Sequence, residues 1–242
     1  MLHDFIIRQI TKHLFNDDII QILCKYDNNI IVKLICLNKR FYSISSIFIK
    51  YISLNNTQTT YAYTNKPHNW NMVYSMVFYN LSNLNAIEFS LCHSVYLYCC
   101  NNISNISSLS KCKFVLLYHC NDISDISALS NCRTLTLIGL NNITDVSSLG
   151  KCHSLKLINC DNIRDVSALG TCHSLVLRDC DNIRDVSGLG MCRFLTIDNC
   201  HYIYDVAALK QCYNLMIYNC CNIRDVSMLE KTVPHFKFIK YE

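Results

Sequence analysis

Charge is scarce in this chain, and so are the residues that interrupt regular structure. Charged residues make up 17% of the 242, the formal net charge is +4, and there are two Pro, five Gly and one Trp. With charge this thin and no Lys/Arg cluster following one face of the sequence, a nucleic-acid-binding role has little support. No apolar run approaches a membrane span. Ile30–Leu37, one of the longest, falls far short of the roughly 20 residues required and contains Lys33. The start, Met1-Leu2-His3-Asp4, lacks the basic segment and cleavage site of a signal peptide, so a soluble, intracellular protein, cytoplasmic or nuclear, is expected. Nucleophile elbow, phosphate-cradling glycine loop and metal-helix motif are all missing, so neither catalysis nor a cofactor is expected. Paired C-x-x-C ligands are missing too, so no metal site is expected.

Cysteine, by contrast, is abundant, with 17 copies, and its spacing is the key to the chain. One series occupies Cys92, Cys112, Cys132, Cys152, Cys172, Cys192 and Cys212; a second occupies Cys100, Cys120, Cys160, Cys180, Cys200 and Cys220. Both follow a 20-residue unit that runs seven times in register, as in CHSLKLINCDNIRDVSALGT from Cys152 to Thr171. At the one break in the second series stands Leu140, and a site that accepts Cys or Leu reads as a core site. Disulfides between stacked cysteines are within bridging range, although a reducing compartment would keep them as thiols.

Within each unit, Leu155 and Leu157 (or Leu135 and Leu137, Leu175 and Leu177) alternate with variable residues, the period of a short strand with one buried face. Apolar residues then recur at every third position, Cys160, Ile163, Val166, Leu169 and Cys172, which suits a tight turn followed by extended or 3₁₀-like backbone. So short a unit leaves no room for a full α-helix on its outer side. The recurring Asp (Asp125, Asp145, Asp165, Asp185, Asp205, Asp225) stands where a side-chain cap would start the turn. Arg164, Arg184 and Arg224 beside it argue against a Ca²⁺ site. His93, His153 and His173 each follow a column Cys. A pH-sensing or metal-binding ladder is one reading of them, and exposure on the loop before the strand is the favoured one.

A short fixed period means a stack of like units that mostly presents surfaces to partners. The pattern resembles the leucine-rich-repeat family, L-x-x-L-x-L-x-x-N/C-x-L, matched by Cys152, Leu155, Leu157, Cys160 and Ile163 and by the equivalent residues from Cys112 to Ile123. The I-x-D-V-S-x-L stretch also resembles the short convex segment of internalin-type repeats. The resemblance implies a β-rich solenoid of parallel strands with a 3₁₀ or extended convex side. The units run over 92–231, followed by a C-terminal capping strand in 232–242. Residues 56–91, with Leu81, Leu84, Ile87 and Phe89, read as a linker, an N-terminal cap or a degenerate repeat.

Residues 1–55 differ in kind and read as a small helical module, with apolar stripes such as Phe5, Ile6, Ile10 and Leu14. The segment FNDDIIQILCKYDNNIIVKLICLNKRFYSI, Phe15–Ile44, resembles an F-box, with Asn16 where the family has Pro. A second frame begins at Leu2. The resemblance implies that Phe15, Ile19, Leu23, Leu34, Leu37 and Phe41 face a Skp-type adaptor of a cullin–RING ubiquitin ligase. The stack would then hold a protein target on its concave face. Variable strand positions are candidates for that face: Tyr96, Tyr98, Phe114, Leu116, Tyr118, Ile138, Ile158, Val176, Arg178, Phe194, Asp198, Met216 and Tyr218. The alternative is a leucine-rich-repeat binding module with no ubiquitin link, its N-terminal helices serving only as a cap.

Overall fold

The computed structural model describes residues 93–240 in full and the strands Tyr51–Leu54 and Ser75–Tyr79 by their backbone. Ten strands form one sheet in chain order, each parallel to the next. They are β1 (Tyr51–Leu54), β2 (Ser75–Tyr79), β3 (Ser94–Tyr98), β4 (Phe114–Tyr118), β5 (Thr134–Ile138), β6 (Ser154–Ile158), β7 (Ser174–Arg178), β8 (Phe194–Asp198), β9 (Asn214–Tyr218) and β10 (His235–Ile239). From β3 to β9 the register advances by one full unit per strand, so that Leu137 pairs with Leu157, Leu157 with Leu177 and Leu177 with Ile197. At about 4.8 Å per strand the sheet is roughly 43 Å wide.

The every-third-residue pattern becomes the other wall of the core. Leu155, Leu157, Cys160, Ile163, Val166, Leu169 and Cys172 are all at most 1% exposed, and their equivalents in neighbouring units join them in a single apolar core. Short 3₁₀ turns such as Ser107–Leu109, Ser147–Lys151 and Ser167–Thr171 close the side opposite the sheet. Each is started from outside by the recurring acid. The Asp165 carboxylate accepts the Ser167 N–H at 2.9 Å, and Asp125, Asp145, Asp185, Asp205 and Asp225 repeat the bond, as the Asn105 amide does for Ser107. The expected caps are therefore present.

The residue after each strand turns the chain through left-handed backbone. Asn159, Asp179, Asn199 and Asn219, types that tolerate this region, have φ of 52°, 50°, 54° and 49°. Their N–H groups still donate to the next strand, Asn159 to Arg178 O at 3.0 Å. Gly139, at φ 64°, lies where a Cβ would fall 2.4 Å from the His119 ring.

Three expectations change at the ends of the stack. Tyr51–Leu54, read as the end of the helical module 1–55, is strand β1. The 56–91 stretch contributes β2, so the sheet begins two strands before residue 92. The last unit carries a six-residue α-helix, Ser227–Thr232, in place of a 3₁₀ turn. Its return to β10 is one residue longer than the steps from β3 to β9, His235 pairing with Asn214, and the extra residue gives the helix room. The expected C-terminal capping strand is β10, with Phe236 and Phe238 packed against the core. Lys240 Nζ donates to Cys221 O at 3.2 Å and to Ile223 O at 2.8 Å, tying the cap to the last unit. The rest of 1–55, including Phe15, Ile19, Leu23, Leu34, Leu37 and Phe41, lies outside the described residues, as do Leu81, Leu84, Ile87 and Phe89.

Candidate functional site

In a strand with Leu at two inward positions, the alternate side chains must project from the opposite face of the sheet. All thirteen candidate residues do so, and none is buried. Parallel pairing lines them up in columns. Tyr98, Tyr118, Ile138 and Ile158 follow one another along the last strand position, and Tyr96 and Leu116 stand beside them. Tyr98 and Tyr118 bring their rings to 5.8 Å, and Tyr118 packs edge-on against His119 at 4.4 Å.

The column then changes character. Arg178 Nε donates to Asp198 Oδ2 at 2.7 Å, a surface ion pair between β7 and β8. Beyond it Tyr218 donates its hydroxyl to Met216 Sδ at 3.3 Å and lies 5.5 Å from Lys237 Nζ. The centre of the face is polar, since Thr134, Thr136, Ser154, Lys156 and Ser174 occupy the outward positions of β5 to β7 around Val176. The candidates therefore divide into an aromatic and aliphatic patch on β3 to β6 and a smaller group on β9, separated by Arg178 on β7 and Asp198 on β8.

Phe114 and Phe194 belong to a different feature. Both stand at the first strand position and meet the histidines that precede the strands. Phe114 lies 4.7 Å from His93. The His153 and His173 rings stack at 4.5 Å and 9°, His173 continues to Phe194 at 5.2 Å, Phe194 to Tyr213 at 6.0 Å, and Tyr213 to His235 at 4.8 Å. Arg193 covers Tyr213 and Phe194, at 5.1 and 5.8 Å. Partial burial, with the His153 ring and the Arg193 cation close by, holds the His173 pKa below the usual imidazole value. The sequence already contained this ribbon, because the position after the first column Cys reads Lys113, Arg133, His153, His173, Arg193 and Tyr213.

The cysteine columns are packing, as their Leu-like spacing implied. Twelve of the fourteen described cysteines are buried, and Cys99 and Cys221 are exposed. In the second column the thiols of Cys120, Cys160, Cys180, Cys200 and Cys220 each bridge two carbonyls: Cys180 Sγ donates to Arg178 O at 3.2 Å and to Leu157 O of the preceding strand at 3.6 Å. Burial pushes Cys172, Cys180 and Cys192 up to about 12 and Cys152, Cys212 and Cys220 up to about 11. Thiols so protonated are poor nucleophiles and poor metal ligands. Among the described residues no three His, Cys, Asp or Glu side chains converge as metal ligands would, and no helix is long and apolar enough to cross a membrane.

No protein-family model matches this sequence, and no curated protein matches it either. Solved structures do match. Internalin C2 from Listeria monocytogenes superposes with a TM-score of 0.52 at 19% identity, over 71% of this chain and 81% of its own. The leucine-rich-repeat domain of the type III effector XopL superposes with a TM-score of 0.51 at 14% identity, over 80% of this chain and 77% of its own. The fold is the leucine-rich-repeat solenoid. At these identities the likeness concerns the fold, so what the solenoid binds has to be argued from its own surface.

Proposed function

We propose that this solenoid is a non-enzymatic protein-interaction subunit that holds a protein partner against the outward face of its sheet. The observation that carries the reading is the patch formed by Tyr96, Tyr98, Leu116, Tyr118, Ile138 and Ile158, contiguous across β3 to β6, with Tyr118 exposed and the other five half-buried. Tyr, Ile and Leu in columns on a rigid sheet offer large contact area at little ordering cost, and tyrosine is a frequent interface anchor. Scattered apolar residues on a surface are ordinary, whereas a contiguous group is a feature of binding faces. Crosslinking of a captured partner should map to this patch. Tyr98→Ala with Tyr118→Ala should weaken capture at least tenfold, and unchanged capture would move the binding face elsewhere.

The finer reading is that the protein recruits its partner to a cullin–RING ubiquitin ligase. It is supported by the F-box-like residues Phe15, Ile19, Leu23, Leu34, Leu37 and Phe41 placed ahead of the repeats. A cytoplasmic or nuclear location agrees with the columns of free thiols, because a reducing compartment keeps cysteines unpaired. Co-purification of a Skp-type adaptor with the full chain, abolished by Ile19→Asp with Leu34→Asp, tests the link. If a partner is captured on the sheet without any adaptor, the plain binding-module reading stands and the ubiquitin link falls.

A further inference from the structure

Charge is distributed unevenly across the width of the sheet. The stretches just ahead of strands β4 to β10 (110–113, 130–133, 150–153, 170–173, 190–193, 210–213 and 230–234) hold seven Lys and Arg and a single carboxylate, Glu230. The stretches just after β3 to β9 (99–105 and its repeats to 219–225) hold ten Asp against three Arg. The two edges of the solenoid, leading and trailing, are thus basic and acidic. No long run of like charge in the sequence announces this, because the cations are spread over several units and only the stacking gathers them.

On the leading edge Lys111, Lys113, Arg133, Lys151 and Arg193 are all exposed. Lys113 and Arg133 are direct neighbours, the Arg133 N–H donating to Lys113 O at 2.8 Å. Arg193 is held against Tyr213 and Phe194. Among the described residues no carboxylate pairs with any of these five, and the Arg178–Asp198 ion pair lies on the sheet face instead. Units stack about 4.8 Å apart, so Lys111, Lys113, Arg133 and Lys151 lie on three successive units and Arg193 two units further on, a linear site for an anionic chain.

We infer that the leading edge is a second docking surface, independent of the outward sheet face, and that it takes an extended acidic segment of a protein. The carboxylates of that segment would run along Lys111, Lys113, Arg133, Lys151 and Arg193. Two observations favour a peptide over other polyanions. Single-stranded nucleic acid binds by stacking bases on open ring faces beside its cations. Here the His153 and His173 rings already stack on each other at 4.5 Å, and Arg193 lies over the faces of Phe194 and Tyr213. A second copy of this chain would have to offer its acidic trailing edge. Six of the ten Asp there, Asp125, Asp145, Asp165, Asp185, Asp205 and Asp225, are committed to accepting turn N–H groups.

The test is fluorescence anisotropy of the full chain with a labelled peptide of about ten glutamates, in low salt and again near 0.3 M salt. Exposed charges lose most of their reach beyond a screening length of about 10 Å at 0.1 M. Binding should be measurable in low salt and weaken at least tenfold in high salt. Lys113→Glu with Arg133→Glu should weaken it at least tenfold. Arg164→Glu with Arg184→Glu, which changes net charge equally on the trailing edge, should weaken it less than twofold. The Tyr98→Ala/Tyr118→Ala pair should bind the peptide as the wild type does, which separates this site from the sheet face. Should the charge reversal fail to fold, as judged by circular dichroism, Lys113→Gln with Arg133→Gln provides the same comparison. Equal losses in the two charge-reversed pairs, absence of peptide binding, tighter binding of an oligothymidylate of similar length, or salt-sensitive self-association of the protein would each overturn the inference.

Discussion

Replacing Leu157 with Ala tests the register of the whole sheet at one position. Leu157 is fully buried on β6, between Leu137 of β5 and Leu177 of β7. The change removes three carbons, about 2.4 kcal/mol at ~0.8 kcal/mol each. The flanking strands cannot close the gap. Their spacing is fixed by ladder hydrogen bonds on both sides, and Cys180 Sγ remains anchored on Leu157 O. A residual cavity at ~24 cal/mol per Å³ therefore adds on the order of 1–2 kcal/mol, for a total of about 3–4 kcal/mol. Equilibrium urea unfolding should show this as a drop in midpoint of about 1 M or more at unchanged slope. Lys156→Ala, one residue earlier and facing outward, should cost no more than about 0.5 kcal/mol. If Leu157→Ala behaved like Lys156→Ala, the assignment of inward and outward positions would be refuted for every strand, since a shift of one residue exchanges the two faces.

Other consequences are as direct. Gly170→Ala would place a Cβ 2.0 Å from the Gly188 carbonyl oxygen, forcing two adjacent turns apart; a cost of about 1–3 kcal/mol is expected, read as a lower Tm. In native thiol titration at pH 8, Cys99 and Cys221 should react readily and the twelve other described cysteines only after denaturation, and rapid native labelling of Cys180 would contradict its burial. The Ser N–H and hydroxyl groups that Asp125, Asp145, Asp165, Asp185 and Asp225 accept hold these carboxyls below the usual carboxylate value. A depressed carboxylate pKa stabilises the fold above the unfolded value of about 3.9. That contribution should disappear as pH falls through the folded values, giving a Tm that declines below about pH 4. Asp165→Asn, which retains the capping oxygen without the charge, should flatten part of the decline.

Much of the fold was legible because the period does the work of long-range information. Leu155 and Leu157 named the strand face, Cys160 to Leu169 named the opposite wall, and Asp165 named the start of the turn, all from local spacing. The ends were less legible. Tyr51–Leu54 and Ser75–Tyr79 pair in the sheet at offsets of 24 residues between β1 and β2 and 19 between β2 and β3, so no fixed period marks them. The Ser227–Thr232 helix depends on one additional residue, which a repeat pattern treats as noise. The outward candidates alternate with the inward leucines along each strand, yet their division by Arg178 and Asp198 only becomes visible once strands are laid side by side. Lys113, Arg133 and Arg193 are hard to read for the same reason, since charges whole units apart look dispersed along a line and share an edge in a stack.

The constant one-unit advance from β3 to β9 also makes length a separable property of this molecule. Excising Cys152–Thr171 would join Lys151 to Cys172, and every downstream side chain would keep its face, its column and its cap, because each unit meets only its immediate neighbours. Excising one residue fewer would leave a connection to absorb the difference, as the helix before β10 absorbs one additional residue. The interior can therefore shrink or grow by whole modules while both ends stay as they are. With each module the outward patch and the basic row would lengthen or shorten together, so the reach of either surface can change without redesign of a single contact.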